Sequence, residues 1–366
     1  MAPLSLSFDI QSVAANFLIS GKISETRVIG EGHINDTFYL NTDSAEEFII
    51  QRINHHIFKD IAGLMENISR VTSHINQTSI NNPPGNSLKA PMVVLTREER
   101  NFFKDQSGNY WRCYSYIPHQ PVNRMSIEIA SEGGRAIGRF QNALSCLPGG
   151  ALHETIPDFH NLRKRLDAFN MAVRTNKAGR LQLSANQVKA IAEREEELLK
   201  IHELESVGLI PVRVTHNDTK FNNILFDKNQ SAIGIVDLDT VMNGSVLYDF
   251  GDAIRTLCNT ATEDESDLSK VNFDVVLFDA FTRGYLSETS GMLQAVEIDL
   301  LAFSCKLLTY IMAVRFLTDF LNGDIYFKVK SPMHNFHRAA NQIRLLECME
   351  MSFETMESVT RKRFCC

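Results

Sequence analysis

In the first third of the chain, apolar and polar residues alternate over short runs separated by turn-forming residues. The pattern predicts strands over 26–29, 37–41, 48–53, 92–95 and 111–116. One stretch has a different period. Ile61, Leu64, Met65, Ile68 and Val71 recur every three or four positions, which predicts a helix over 60–75. The run Asn81-Asn82-Pro83-Pro84-Gly85-Asn86 reads as a loop. Beyond 117–119 the helical period dominates, over 126–147, 161–174, 185–205, 273–287, 296–321 and 334–359, and Asp249 and Asp252 lie at the start of a further helix. Among these helices sits one compact β segment: strands over 211–215, 224–226 and 232–238, with a turn at 227–230. The expected architecture is α+β, with a β-rich N-terminal lobe (1–118), a mainly helical C-terminal lobe (119–366) and a hinge at 116–120. A ligand cleft belongs between two such lobes.

Composition narrows the function classes. The 366 residues include 44% hydrophobic side chains, enough to build a core, so disorder is excluded as the dominant state. Lys and Arg total 37 against 44 Asp and Glu, a net charge of −7, which argues against nucleic acid as a partner. The longest apolar stretch, 298–321, is interrupted by Ser304, Lys306, Arg315 and Asp319, and no membrane association is expected. The first 21 residues lack a basic region before their apolar positions and predict a short amphipathic helix, not a signal peptide. Seven scattered cysteines with no CxxC pair suggest neither a disulfide scaffold nor a zinc site, and fit a cytoplasmic location. Cys365-Cys366, after Arg361-Lys362-Arg363, reads as an exposed tail. The oligomeric state is left open, with a monomer favoured.

The chemistry concentrates in the β segment, RVTHNDTKFNNILFDKNQSAIGIVDLDT. Phosphoryl transfer from ATP needs a carboxylate beside the attacking hydroxyl and a few hard oxygen ligands that hold Mg²⁺ against the phosphates. His216-x-Asp218-x-Lys220-x-x-Asn223 supplies a loop carboxylate and an amide oxygen. Asp237, 237 − 218 = 19 residues after Asp218, supplies a second carboxylate at the end of the next hairpin. This is the spacing of a kinase catalytic loop followed by its metal-binding Asp. Lys220 is positioned to offset charge on the γ-phosphate. His216 reads as a buried imidazole that orders the loop, and Asp249 and Asp252 as braces for it. Upstream, Gly30-x-Gly32-x-x-Asn35 lies between two predicted strands, where glycines let backbone approach phosphates. Lobe order places adenine against the backbone near Tyr116 and Ile117. No Walker A loop, G-x-S-x-G or H-E-x-x-H occurs.

This segment, together with VLYDFGDAIR after it, resembles the aminoglycoside phosphotransferase and choline kinase superfamily. Within it, GEGHINDTFYL, FIIQRIN, RVTHNDTKFNNIL, IVDLDTVMNGSVLYDFGD, EDESDLSKVNF and RFLTDFLNGDIYF are similar to the N-acetylhexosamine 1-kinases and span nearly the whole chain. The resemblance implies a two-lobed protein-kinase-like fold and ATP with Mg²⁺ as donor. It also implies transfer to the anomeric hydroxyl of GlcNAc or GalNAc to give the α-1-phosphate. Asp218 would be the base, Asn223 and Asp237 the metal ligands, and His33, Asn35, Arg315 and Tyr326 would lie near the sugar. Two departures stand out. The strand that carries a phosphate-binding lysine in kinases reads Phe48-Ile49-Ile50-Gln51-Arg52, so Gln51 or Arg52 is expected to do that work, and an ion pair with Glu66 is in doubt. The D-F-G triplet reads Asp237-Leu238-Asp239, so Asp239 is a candidate second metal contact. Two alternatives stay open: a kinase for another small alcohol (choline, homoserine, an aminoglycoside or another sugar), and a nucleotide-binding pseudokinase. The second predicts a broken Asp–Asn–Asp set, and here the set is intact.

Overall fold

The structure, a computed structural model, describes residues 8–29, 34–80, 88–122 and 124–361. Helix α1 (Ile10–Ala14) leads into strands β1 (Ile23–Val28), β2 (Asp36–Thr42) and β3 (Glu47–Ile53), then helix α2 (Ile61–Ile80). Strands β4 (Val93–Val94), β5 (Phe103–Lys104) and β6 (Tyr110–Ser115) follow. All pairings are antiparallel, in the order β1-β2-β3-β6-β4, with β5 on the far half of β6. Side chains alternate across the sheet. On one face Phe38, Leu40, Phe48, Ile50, Trp111 and Cys113 pack with Ile10, Val13 and Phe17 in a small core. The opposite face carries Thr37, Ile49, Gln51, Arg112 and Tyr114 and forms one wall of a cleft.

The second lobe is helical. Helices α3 (Ile127–Leu144) and α4 (Leu162–Thr175) begin at Ser126 and Asn161, whose side chains accept the backbone N–H three residues on. The predicted helix over 185–205 is three pieces, α5 (Ala185–Ala192), α6 (Glu195–Leu198) and α7 (Lys200–Ser206). The first break falls at Arg194, whose guanidinium turns to Glu350 at 2.7 and 2.9 Å. The β segment follows as β7 (Arg213–Thr215), β8 (Ile224–Phe226), β9 (Ala232–Ile235) and β10 (Met242–Gly244). Strand β7 pairs with β10, and β8 with β9, both antiparallel.

Helices α8 (Val246–Leu257), α9 (Val275–Thr289), α10 (Ala295–Asp299), α11 (Leu301–Asn322), α12 (His334–Met351) and α13 (Phe353–Arg361) complete the lobe. The sequence pattern merges α10 with α11. The break at Leu300 follows Glu297, a fully buried carboxylate that holds Arg213 at 2.8 Å and accepts the Gln294 N–H. Helix α11 is the one described helix long and apolar enough to span a membrane, but it is buried between α4, α8 and α12. Close approach sets the packing of α3 on α9. A Cβ on Gly284 would fall 1.9 Å from the Ser131 carbonyl oxygen, so only glycine fits. Cys113, Cys146, Cys258, Cys305 and Cys348 are all free thiols.

The lobes meet at the cleft through backbone as well as side chains. Lys89, before β4, donates to Ile233 of β9 and accepts from Ile235, and Gln120 N donates to Phe226 O at 2.8 Å. Residues 116–120 thus run along the edge of the β8–β9 hairpin.

Candidate active site

Two loops leave the small sheets at the same end. One joins β7 to β8 and carries residues 216–223; the other joins β9 to β10 and carries 237–241. Their meeting brings Asp218, Asn223 and Asp237 onto the wall of one cavity of about 390 Å³, which the β2–β3–β6 face closes from the other side. Asn217 and Asp237 both take left-handed backbone conformations (φ 64° and 63°), unusual for non-glycine residues and tolerated best by Asn and Asp.

Buried polar groups hold the first loop. Asp249, fully buried on α8, accepts from His216 N at 3.0 Å, from Asn217 N at 2.7 Å and from Gln141 Nε2 at 3.0 Å. His216 accepts from the Asp218 N–H at Nδ1 (3.3 Å), which leaves Nε2–H to donate to Val236 O at 3.0 Å. The imidazole therefore ties the first loop to the second. Thr240 adds a hydroxyl to the His216 carbonyl at 2.7 Å. Asp252, expected as a second brace, instead pairs with the buried Arg255 at 2.8 Å, which also holds Glu263.

The electrostatics separate the two acids. Burial works against ionisation of Asp218, but Lys220 at 3.1 Å, with His216, outweighs it and holds the carboxyl below its usual value. Burial likewise opposes the Lys220 charge, and Asp218, Asp252 and Glu263 outweigh it and raise the amine. Asp237 opens onto the cleft, yet the surrounding protein and the carboxylates of Asp239 and Asp218 push it up to about 6. Asn223 donates through Nδ2 to the Asp218 carbonyl at 2.9 Å, which turns its amide oxygen to the remaining direction. No group of three His, Cys, Asp or Glu suited to a metal occurs among the described residues. One carboxylate crowded by others plus one amide oxygen is nevertheless a donor set that fits Mg²⁺, which takes few protein ligands and completes its shell from phosphate and water.

Residues 25–286 match the phosphotransferase enzyme family. The chain belongs to that family. Its protein-kinase-like fold is shared with solved structures of low sequence identity. An amicoumacin kinase solved with AMP-PNP and Ca²⁺ superposes with a TM-score of 0.62 at 12% identity, covering 92% of this chain and 93% of that one. An aminoglycoside phosphotransferase from Alicyclobacillus acidocaldarius gives 0.62 at 12%, covering 97% and 98%. An ethanolamine kinase from Plasmodium vivax gives 0.55 at 14%, covering 87% and 82%.

As a member of the phosphotransferase family, the chain departs from several expectations drawn from its sequence. Gln51 faces the cleft, but Arg52 does not. One residue on, it points to the other face of β3, where it pairs with Asp36 (Nε at 2.8 Å) and lies over the Phe8 ring. The expected nucleotide contact from Arg52 is corrected by this parity. Asp239 is not free for a metal: it forms a buried ion pair with Arg112 and accepts from Asn35 Nδ2 at 2.6 Å. Asn35 reaches the cleft wall, but its amide oxygen takes the Asn54 N–H at 2.9 Å and its nitrogen bonds Asp239, so the side chain clasps the two lobes. Glu66 lies at the surface beside His153. Tyr116 and Ile117 line the cleft at the link between the lobes. Gly30, Gly32 and His33 lie outside the described residues, as do the 81–86 loop and Cys365-Cys366.

Arg315 and Tyr326 come together beside the catalytic loop. Arg315 Nη2 is 3.5 Å from the Tyr326 hydroxyl, and its guanidinium lies over Phe159, Phe327 and Tyr326. Three residues missed by sequence reading support this corner. His160 bonds through Nε2 to the Asn217 carbonyl at 2.8 Å; burial, with Arg315 and Arg165 nearby, drives its pKa down to about 3. Arg165 donates to Phe159 O at 2.8 Å. Asp319, on the otherwise apolar α11, accepts the N–H groups of Ile325, Tyr326 and Phe327 at 2.9, 2.8 and 3.0 Å and fixes the Tyr326 segment. A lone carboxylate inside an apolar helix is the sequence signal by which it could be found.

Proposed function

We propose that this phosphotransferase is an ATP-dependent kinase that phosphorylates the anomeric hydroxyl of an N-acetylhexosamine (GlcNAc or GalNAc) to give the α-1-phosphate. In this reading ATP fills the cleft, with adenine toward Tyr116 and Ile117 and the phosphates toward Asp237. Asn223 and Asp237 would hold Mg²⁺, which supplies charge neutralisation on the phosphates. Asp218, kept ionised by Lys220, orients the acceptor hydroxyl and takes its proton as the new O–P bond forms and the bond to ADP breaks. With a loose transition state, orientation counts for more than basicity, and a depressed pKa suits that role. Lys220 sits where it would offset charge on the transferred group.

The observation that carries the acceptor class is the corner beside Asp218. Arg315 and Arg165 stand near one another, and neither forms an ion pair with a described residue. A cationic acceptor such as choline or an aminoglycoside would meet two guanidinium groups there, and Arg315 already lies over the aromatic faces of Phe159, Tyr326 and Phe327 that would otherwise hold a cation. A neutral polyol bearing an amide carbonyl instead offers acceptor oxygens to arginine N–H donors. The hydroxyl of Tyr326, half exposed, adds a further polar contact.

The test is a coupled ADP-release assay over GlcNAc, GalNAc, plain hexoses, choline and kanamycin, followed by phosphorus NMR of the product. An anomeric phosphate from the N-acetyl sugars is expected. A 6-phosphate, or turnover confined to choline or kanamycin, overturns the acceptor assignment. ATP binding with no turnover on any acceptor favours the pseudokinase.

A further inference from the structure

In a kinase-like cleft the cation that grips the nucleotide's phosphates comes from the third strand, yet in this chain the cleft-facing position on β3 is the neutral Gln51. We propose that Arg112, from the neighbouring strand β6, is the residue that holds the nucleotide's phosphates. The proposal rests on the reading of the cleft as an ATP site.

Register puts Arg112 directly opposite Gln51. Strand parity turns both toward the cleft, whereas Trp111 and Cys113 turn to the small core. Arg112 is 1% exposed and lines the cavity wall. Two contacts fix the guanidinium plane. Nε donates to Gln51 Oε1 at 2.9 Å, and Nη1 pairs with Asp239. Gln51 is itself set by its Nε2 bond to Thr37 Oγ1 at 3.0 Å. Gln51 thus acts as a positioning residue, and this accounts for an amide where a cation was expected.

The hydrogen bond from Nε and the ion pair from Nη1 leave Nη2 without a hydrogen-bonding partner among the described residues. A guanidinium held in place by two of its nitrogens, with the third left free, suits a charge-assisted bond to a phosphate oxygen. Among the described residues lining the cavity, only Arg112 and Lys220 carry permanent positive charge; each pairs with a carboxylate, Lys220 with Asp218 and Arg112 with Asp239, and only Arg112 comes from the N-terminal sheet. Asp239 balances Arg112 between turnovers and keeps the buried charge from standing alone.

Equilibrium binding of ATP, ADP and adenosine, measured in EDTA on the full chain, tests this without relying on turnover or metal. For Arg112→Gln, ATP affinity is expected to fall by about tenfold or more, ADP affinity by less, and adenosine affinity to stay within about twofold. Arg112→Lys, which keeps the charge and loses the guanidinium, should fall between wild type and Arg112→Gln in the ATP-to-adenosine ratio. The lysine variant carries the test if the glutamine variant does not fold. Parallel loss of ATP and adenosine in either folded variant would show a packing role and overturn the proposal, as would unchanged ATP affinity. Wild-type protein that binds neither ligand would instead overturn the reading of the cleft itself.

Discussion

Replacing Asp249 by Asn tests whether the catalytic loop is held from beneath. The wild-type carboxylate accepts three hydrogen bonds in a site closed to water: His216 N and Gln141 Nε2 on one oxygen, Asn217 N on the other. An asparagine can offer its one oxygen to only one of these sides. With the oxygen kept toward His216 and Gln141, its NH₂ faces the Asn217 N–H, and that donor is left buried without an acceptor. The loss costs about 1–3 kcal/mol. Burial already raises the Asp249 pKa, with His216 and Gln141 pulling it back, so part of the wild-type charge cost is relieved in the variant and the lower half of that range is expected. For a protein of this size the change corresponds to a fall in melting temperature of about 1–3 °C. Because the loop backbone aims Asp218, kcat should fall by about 10- to 100-fold with little change in ATP affinity. Thermal melts followed by circular dichroism, and steady-state kinetics on the same preparation, give both numbers. A variant that melts within about 1 °C of wild type and turns over at the same rate would refute the claim that Asp249 supports the loop.

Three further outcomes are expected. Asp218→Asn should lose about 10²- to 10³-fold in kcat while binding AMP-PNP normally by calorimetry; full turnover would remove Asp218 from the chemistry. Asp237 has a folded pKa of about 6 against an ordinary 3.8, so the folded state takes up its proton more readily than the unfolded chain. Stability from this group is therefore present at low pH and lost as pH rises through about 4–6, a loss of about 1 kcal/mol after allowing for its exposure to solvent. A bound cation must compete with that proton, so the affinity for Mg²⁺ with AMP-PNP should weaken as pH falls below about 6 and Asp237→Asn should abolish the dependence; a flat profile in wild type would contradict it. Asp319→Ala removes the acceptor for three backbone N–H groups under Tyr326, and the KM for the sugar should rise about tenfold with the KM for ATP unchanged; equal rises in both would show a general loss of folding instead.

How much of this was legible beforehand follows the physics of each signal. Strands β2, β3 and β6 were visible because their alternation is strict, and α2 because its apolar spacing is helical. The tight Asp218–Asn223–Asp237 grouping was visible because its offsets lie within two adjacent hairpins, where local chain geometry fixes what meets what. Parity along β3 separates Gln51 from Arg52, since Arg52 shares the face of Phe48 and Ile50, but parity alone does not say which face of the strand meets the cleft. Arg112 was harder. Its cleft-facing position depends on pairing with a strand 61 residues away (112 − 51), and nothing local to Tyr110–Ser115 says which partner it faces. Breaks at Arg194 and Leu300 were invisible for a similar reason: they coincide with ion pairs to Glu350 and Arg213 that are set by tertiary packing.

The same distinction bears on how the site works. Residues that perform chemistry sit in short-range motifs, and residues that hold the two lobes in register are long-range. Asp239 receives both Arg112 and Asn35 from the N-terminal lobe, two residues after Asp237. The short helical turn Leu238–Thr240 starts directly after Asp237 and contains Asp239. A substitution at Asp239 should therefore release Arg112 and Asn35 and disturb the turn that presents Asp237 in one step.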